Sequence, residues 1–85
     1  MIAPRRAVDT VGRVYELRAR AGGRIEQVEV DEGQMVAEED PIAILDSAGV
    51  RVELTTDVPG VVRELYVERG RSVLAGEVIA LIDES

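Results

Sequence analysis

Side chains able to do chemistry are few in this chain, and the missing types are as informative as those present. There is no histidine, no cysteine and no lysine. Acid–base work near neutral pH and covalent catalysis draw mainly on those three. Ser47 has no histidine to take its proton, so a histidine-based triad is impossible. Carboxylates remain. Asp31-Glu32 and Glu38-Glu39-Asp40 offer oxygen ligands but lack the loop spacing of a calcium hand, and charged turns keep a small β-protein in solution. Asp46 and Asp83 are of the type that acid–base chemistry pairs. They occupy equivalent places in an internal repeat, however, which assigns them to strand-ending turns. The expectation is no catalytic residue, no metal ligand and no enzyme activity.

The elements that position these residues follow from the repeat, the first feature to look for in any chain. Glu16–Asp46 lies on Glu53–Asp83 without a gap at an offset of 37 residues, and nine of the 31 positions are identical. They include Leu17/Leu54, Gly23/Gly60, Val30/Val67, Gly33/Gly70, Val36/Val73 and Ile42/Ile79. Further inward positions exchange one aliphatic for another: Ile25/Val62, Val28/Leu65, Ile44/Leu81 and Leu45/Ile82. The predicted strands are short and alternate in polarity, and no window has helical periodicity. Arg13–Arg20 is read as a strand with Tyr15 and Leu17 inward and Arg18 and Arg20 outward. Strands follow through Ile25, Val28 and Val30, at Met35-Val36 and at Pro41–Leu45. Asp46–Gly49 is the expected central turn, and the second half repeats the pattern. Residues 1–11, with Pro4, read as an N-terminal arm. Residues 12–85 read as one domain, with halves at about 13–46 and 50–83.

Composition narrows the class. Eighty-five residues make one small domain, with a core drawn from fourteen valines, six isoleucines and six leucines and no disulfide to staple it. The net charge is −7. Six arginines against two acids before residue 25, and four against fifteen after it, leave an acidic body behind a basic start. An acidic body argues against a nucleic-acid partner. No stretch approaches membrane-spanning length, and no apolar run follows the early arginines, so a cytoplasmic protein is expected.

The spacing Gly23-x-Ile25-x-x-Val28-x-Val30-x-x-Gly33-x-x-Val36 recurs as Gly60, Val62, Leu65, Val67, Gly70 and Val73. Each copy leads to an aliphatic strand ending in Asp. This double register resembles the biotinyl/lipoyl carrier family across roughly residues 12–83. The resemblance implies an all-β hammerhead, or barrel-sandwich hybrid: two four-stranded antiparallel sheets related by a pseudo-twofold axis. In such carriers a lysine on the hairpin between the halves, eleven residues before the glycine matching Gly60, holds biotin or lipoate through an amide. Gly49 stands at that position, and Asp46-Ser-Ala-Gly-Val50 resembles neither the Met-Lys-Met nor the Asp-Lys-Ala of the modified hairpins. Arginine stays protonated and is a poor acyl acceptor, so it does not replace the amine.

The reading favoured by these residues is an unmodified, non-catalytic module without a cofactor. It would act by protein–protein contact or self-association, with a homodimer as one form and no membrane or nucleic-acid partner. Tyr66, Arg18 and Arg20 are the candidate contact residues. Two alternatives remain. One is a carrier whose attachment lysine is lost, mutated or redesigned. The other is the lipoyl-like part of a membrane-fusion adaptor, which Val58-Pro-Gly-Val-Val62 also resembles.

Overall fold

A computed structural model describes residues 13–85, which form eight strands. These are β1 (Val14–Arg18), β2 (Gly23–Val28), β3 (Met35–Val36), β4 (Pro41–Ser47), β5 (Val50–Thr55), β6 (Gly60–Leu65), β7 (Ser72–Val73) and β8 (Val78–Glu84). They pair antiparallel into two sheets, ordered β1-β8-β6-β3 and β5-β4-β2-β7. Replacing each strand by its mate in the other half converts one order into the other. Each sheet thus draws two strands from each half. The fold is the expected all-β barrel-sandwich hybrid.

Between the sheets lies an aliphatic core. Ile42, Ala43, Leu45, Leu54, Ile79, Ala80 and Ile82 have no exposed surface, and Ile25 and Val62 have 1%. Burying an aliphatic of this size contributes about 1.5–3 kcal/mol, and the β-branched majority suits a pleated surface. Gly23 and Gly60 let neighbouring strands close on that core. A Cβ at Gly23 would overlap the carbonyl of Asp46, and one at Gly60 the carbonyl of Asp83.

Matching irregularities bend both halves. The β2–β4 register shifts between Ile25 and Gln27, and the β6–β8 register shifts between Val62 and Glu64. Each bulge turns two successive polar residues outward, Glu26-Gln27 and Arg63-Glu64, and increases the local twist. It also displaces the residue that follows. Val28 and Leu65, expected inward, are therefore only half-buried, as are Ile44 and Leu81 on the strands opposite. Tyr15, also expected inward, packs half-buried against the core, and its hydroxyl donates to Asp57 at 3.0 Å. The central turn is shorter than expected. Asp46 and Ser47 belong to β4, because Asp46 pairs with both Arg24 and Arg51 and Ser47 with Val50, leaving a two-residue Ala48-Gly49 turn. The strand expected over Arg13–Arg20 spans Val14–Arg18. The arm over residues 1–11 lies outside the described residues.

Candidate functional site

The β4–β5 hairpin ends in a turn with positive φ at both central residues, 52° at Ala48 and 85° at Gly49. This primed geometry matches the right-handed twist of the flanking strands. Asp46 Oδ1 accepts the Gly49 N–H at 3.0 Å, and the Ser47 hydroxyl donates to the Gly22 carbonyl at 2.8 Å. Nothing lies within 4 Å of the space a Cβ on Gly49 would take, and the neighbouring Val50 is 62% exposed. The tip is a firm, open projection carrying only a methyl group and a hydrogen.

Two of the three contact candidates meet on the outer face of the β1-β8-β6-β3 sheet. Tyr66 follows β6 and is 43% exposed, and its hydroxyl donates to Glu64. That hydrogen bond, more than any other influence, pushes the phenol above its ordinary value, and the charge of Glu16 acts in the same direction. Glu16 also pairs with Arg18, whose other guanidinium nitrogen donates to the Gly76 carbonyl at 2.7 Å. Tyr66, Glu64, Glu16 and Arg18 are therefore one patch bridging β1 and β6 over β8. Arg20 lies past the end of β1, exposed, and its charge reaches Tyr15 instead.

The turns expected to serve only as solvated charge also shape the backbone. Asp40 Oδ2 accepts the Ala37 N–H at 2.8 Å, and its mate Glu77 accepts the Leu74 N–H at 2.9 Å. The Leu74 amide, and secondarily Arg71, hold the Glu77 carboxyl below its ordinary value against the opposing effect of desolvation. Glu32 Oε2 accepts the Leu65 N–H at 2.9 Å. Among the described residues no group of three or more acidic side chains is placed to hold a metal ion.

Sequence reasoning missed an open cleft of about 410 Å³ on β2, reaching Asp46 near the tip of the hairpin. Arg24, Ile25, Glu26, Gln27, Asp46 and the Arg69-Gly70 turn line it. The signal was present in the repeat only as two departures among several, with Arg24 against Val61 and Arg69 against Glu32.

Comparison with known proteins agrees with this architecture. Residues 11–82 match the biotin–lipoyl family model described as "Biotin-requiring enzyme". Among solved structures, the chain is similar to part of the urea carboxylase of Kluyveromyces lactis, with a TM-score of 0.77 and 22% identity over 81% of this chain and 6% of that one. It is similar to part of a single-chain, multi-domain long-chain acyl-CoA carboxylase, with a TM-score of 0.81 and 18% identity over 87% of this chain and 8% of that one. The lipoyl domain of the 2-oxoglutarate dehydrogenase complex from Azotobacter vinelandii matches at a TM-score of 0.67 and 21% identity, over 81% of this chain and 98% of that one. At these identities the likeness is one of fold. The chain spans less than a tenth of either carboxylase, at 6% and 8%. No curated protein matches it significantly.

Proposed function

Since the chain belongs to the biotin–lipoyl domain family, we propose that it is an unmodified, non-catalytic member acting in the cytoplasm through protein–protein contact or self-association. One observation carries this reading: the hairpin tip is an intact Ala48-Gly49 turn without a side-chain amine, in a chain with no lysine. The family's fold and hairpin are kept, while the group that would accept biotin or lipoate through an amide is absent, so neither cofactor fits. On this reading Gly49 stands in place of the modified lysine. A φ of 85° there suits glycine and opposes any longer side chain.

Contact then falls to the surfaces around the tip. The patch of Tyr66, Glu64, Glu16 and Arg18 offers an exposed ring set among fixed charges, a residue type favoured at interface centres. Among the described residues strand β1 is a sheet edge, and a sheet edge is a template for a second copy.

Intact-mass measurement after co-expression with a biotin ligase and a lipoate ligase tests the first part. The unmodified mass is expected, and the added mass of either cofactor on this chain would overturn the reading. Native mass spectrometry of the protein purified from its own cells tests the second part, with a dimer or a bound second protein expected. A chain that stays monomeric and free at micromolar concentration would remove the contact role. If the edge of β1 carries a dimer, deleting residues 1–11 leaves the assembly unchanged.

A further inference from the structure

The two sheets carry equivalent rows of side chains on their outer faces, and the pseudo-twofold axis makes each row a control for the other. In the β1-β8-β6-β3 sheet the row is Met35, Val61, Asp83 and Val14. Val61 pairs with both Met35 and Asp83, and Asp83 with Val14, and directly paired residues share a face. At the equivalent places the β5-β4-β2-β7 sheet has Ser72, Arg24, Asp46 and Arg51, joined by the same pairings. That row is polar throughout, as suits a face turned to water. The first row keeps the aspartate and is otherwise apolar. Val14 and Val61 are half-buried, and Met35 is 74% exposed. Val36, the next residue of β3, lies in the core, so Met35 points outward. Asp83 is engaged by Arg63 at 3.4 Å.

Residues 1–12 join the described chain at one end of this row. Their point of attachment is Arg13, whose carbonyl accepts the Glu84 N–H at 2.8 Å and which directly precedes Val14. Three strand spacings of about 4.8 Å separate β1 from β3, so roughly five extended residues cross the sheet. Counted back from Arg13, those are Gly12 to Val8, with Val11 among them, and Ala7, Arg6 and Arg5 come next. On the far side, β3 is flanked by exposed acids, Asp31-Glu32 before it and Glu38-Glu39 after it. None of these four forms an ion pair with a described residue. Read away from Arg13, the segment is aliphatic and then cationic. The face, crossed from Val14, is aliphatic and then anionic.

We propose that residues 1–12 fold back across the outer face of the β1-β8-β6-β3 sheet, covering Val14, Val61 and Met35 with Val11, Val8 and Ala7 and bringing Arg6 and Arg5 to the acidic turns that flank β3. Asp9, the one acid of the segment, then passes over β6, the strand that carries Arg63. Exposed ion pairs contribute little each, so apolar cover holds the segment and the charges set its direction. The occupant is the chain's own segment rather than a second copy. A short tether keeps the segment at an effective concentration in the millimolar range. A second copy would bring a further net charge of −7 to a face bordered by acids. This inference goes beyond the protein-contact reading and does not depend on it.

Met35 is the reporter, because Met1 is the only other methionine in the chain. The full chain is labelled with ¹³C at its methionine, valine and alanine methyl groups. Nuclear Overhauser contacts from the Met35 methyl to those of Val8 and Ala7 are expected. Deleting residues 1–11 should move the Met35 and Val61 signals and leave the buried Val73 in place. In the intact chain, Arg5→Glu combined with Arg6→Glu should carry the Met35 signal most of the way to its truncated position and weaken the contacts. Arg69→Glu, on the other sheet's side, should do neither. The same Met35 signal with and without the segment, no contact to it, or contacts undiminished by the double reversal would each overturn the proposal. So would contacts that arise only between differently labelled chains in a mixed sample, which would give the face to a second copy. The contact role is judged separately, by native mass spectrometry.

Discussion

At the residue scale, the mirrored core valines and the strand-facing glycines carry the fold, and each does so for a different reason. Val36 and Val73 are 5% and 3% exposed at equivalent places in the two halves. Truncating either removes two methyl groups and leaves a void, so Val36→Ala and Val73→Ala should each lower stability by about 1–3 kcal/mol in urea denaturation. Near-zero losses at both would break the equivalence of the halves. Gly60 fails differently, by overpacking. Its missing Cβ is the space occupied by the Asp83 carbonyl, so Gly60→Ala must push β6 from β8 and should cost about 3 kcal/mol. A loss below about 1 kcal/mol in the same assay would mean that the two strands are not so closely held. The valines were legible as a repeated aliphatic pattern. The role of Gly60 was legible only as a repeated glycine, because the overlap that excludes a side chain lies with a residue 23 positions away.

At the element scale, the two copies of one turn solve the same problem with different residues. Asp40 and Glu77 each accept a backbone N–H three residues earlier, but the residue before the acid differs: Glu39 takes a φ of 72° where its mate is Gly76 at 88°. A side chain in that conformation is strained, so Glu39→Gly should raise stability by about 0.5–1 kcal/mol, read as a higher urea midpoint. An unchanged or lower midpoint would show that Glu39 has a compensating contact. Glu77 makes the partner turn sensitive to acid. Its carboxyl is held below its ordinary value in the folded chain, so the stability it contributes is present above that value and is lost as pH falls through the folded one. The stability gap between the native chain and Glu77→Gln should therefore be constant from pH 7 to about 5 and close at lower pH. A gap that persists at pH 2 would mean that the charge plays no part. Sequence pattern placed both acidic turns but read them as solvated charge, since nothing local distinguishes a carboxylate facing water from one facing an amide.

At the scale of the whole molecule, neither half contains a sheet of its own. Each sheet takes two strands from residues before Ala48 and two from residues after Gly49. The strand pairs β1-β8 and β6-β3 each join one half to the other, so the first half alone has only the β2–β4 pairing left. A peptide of residues 13–49 should be unfolded by far-ultraviolet circular dichroism, and an equimolar mixture with residues 50–85 should recover strand signal. A folded first half by itself would contradict the interdigitated topology. Two strands without a covering sheet are too few to hold together in water.

The repeat register, the valine-rich interior, the absence of a side-chain amine and the resulting all-β hammerhead were written in the order of residues, because alternation and spacing are local and the duplication stated them twice. The bulges that turn Val28 and Leu65 half outward, the two-residue hairpin tip and the capping of Leu65 by Glu32 were not. Each depends on which strand lies alongside, and partners 33 residues apart leave no local trace. The cleft belongs with these. Arg24 and Arg69 were visible as departures from the repeat, but only the packing of β2 against the Arg69-Gly70 turn brings their charges to one opening.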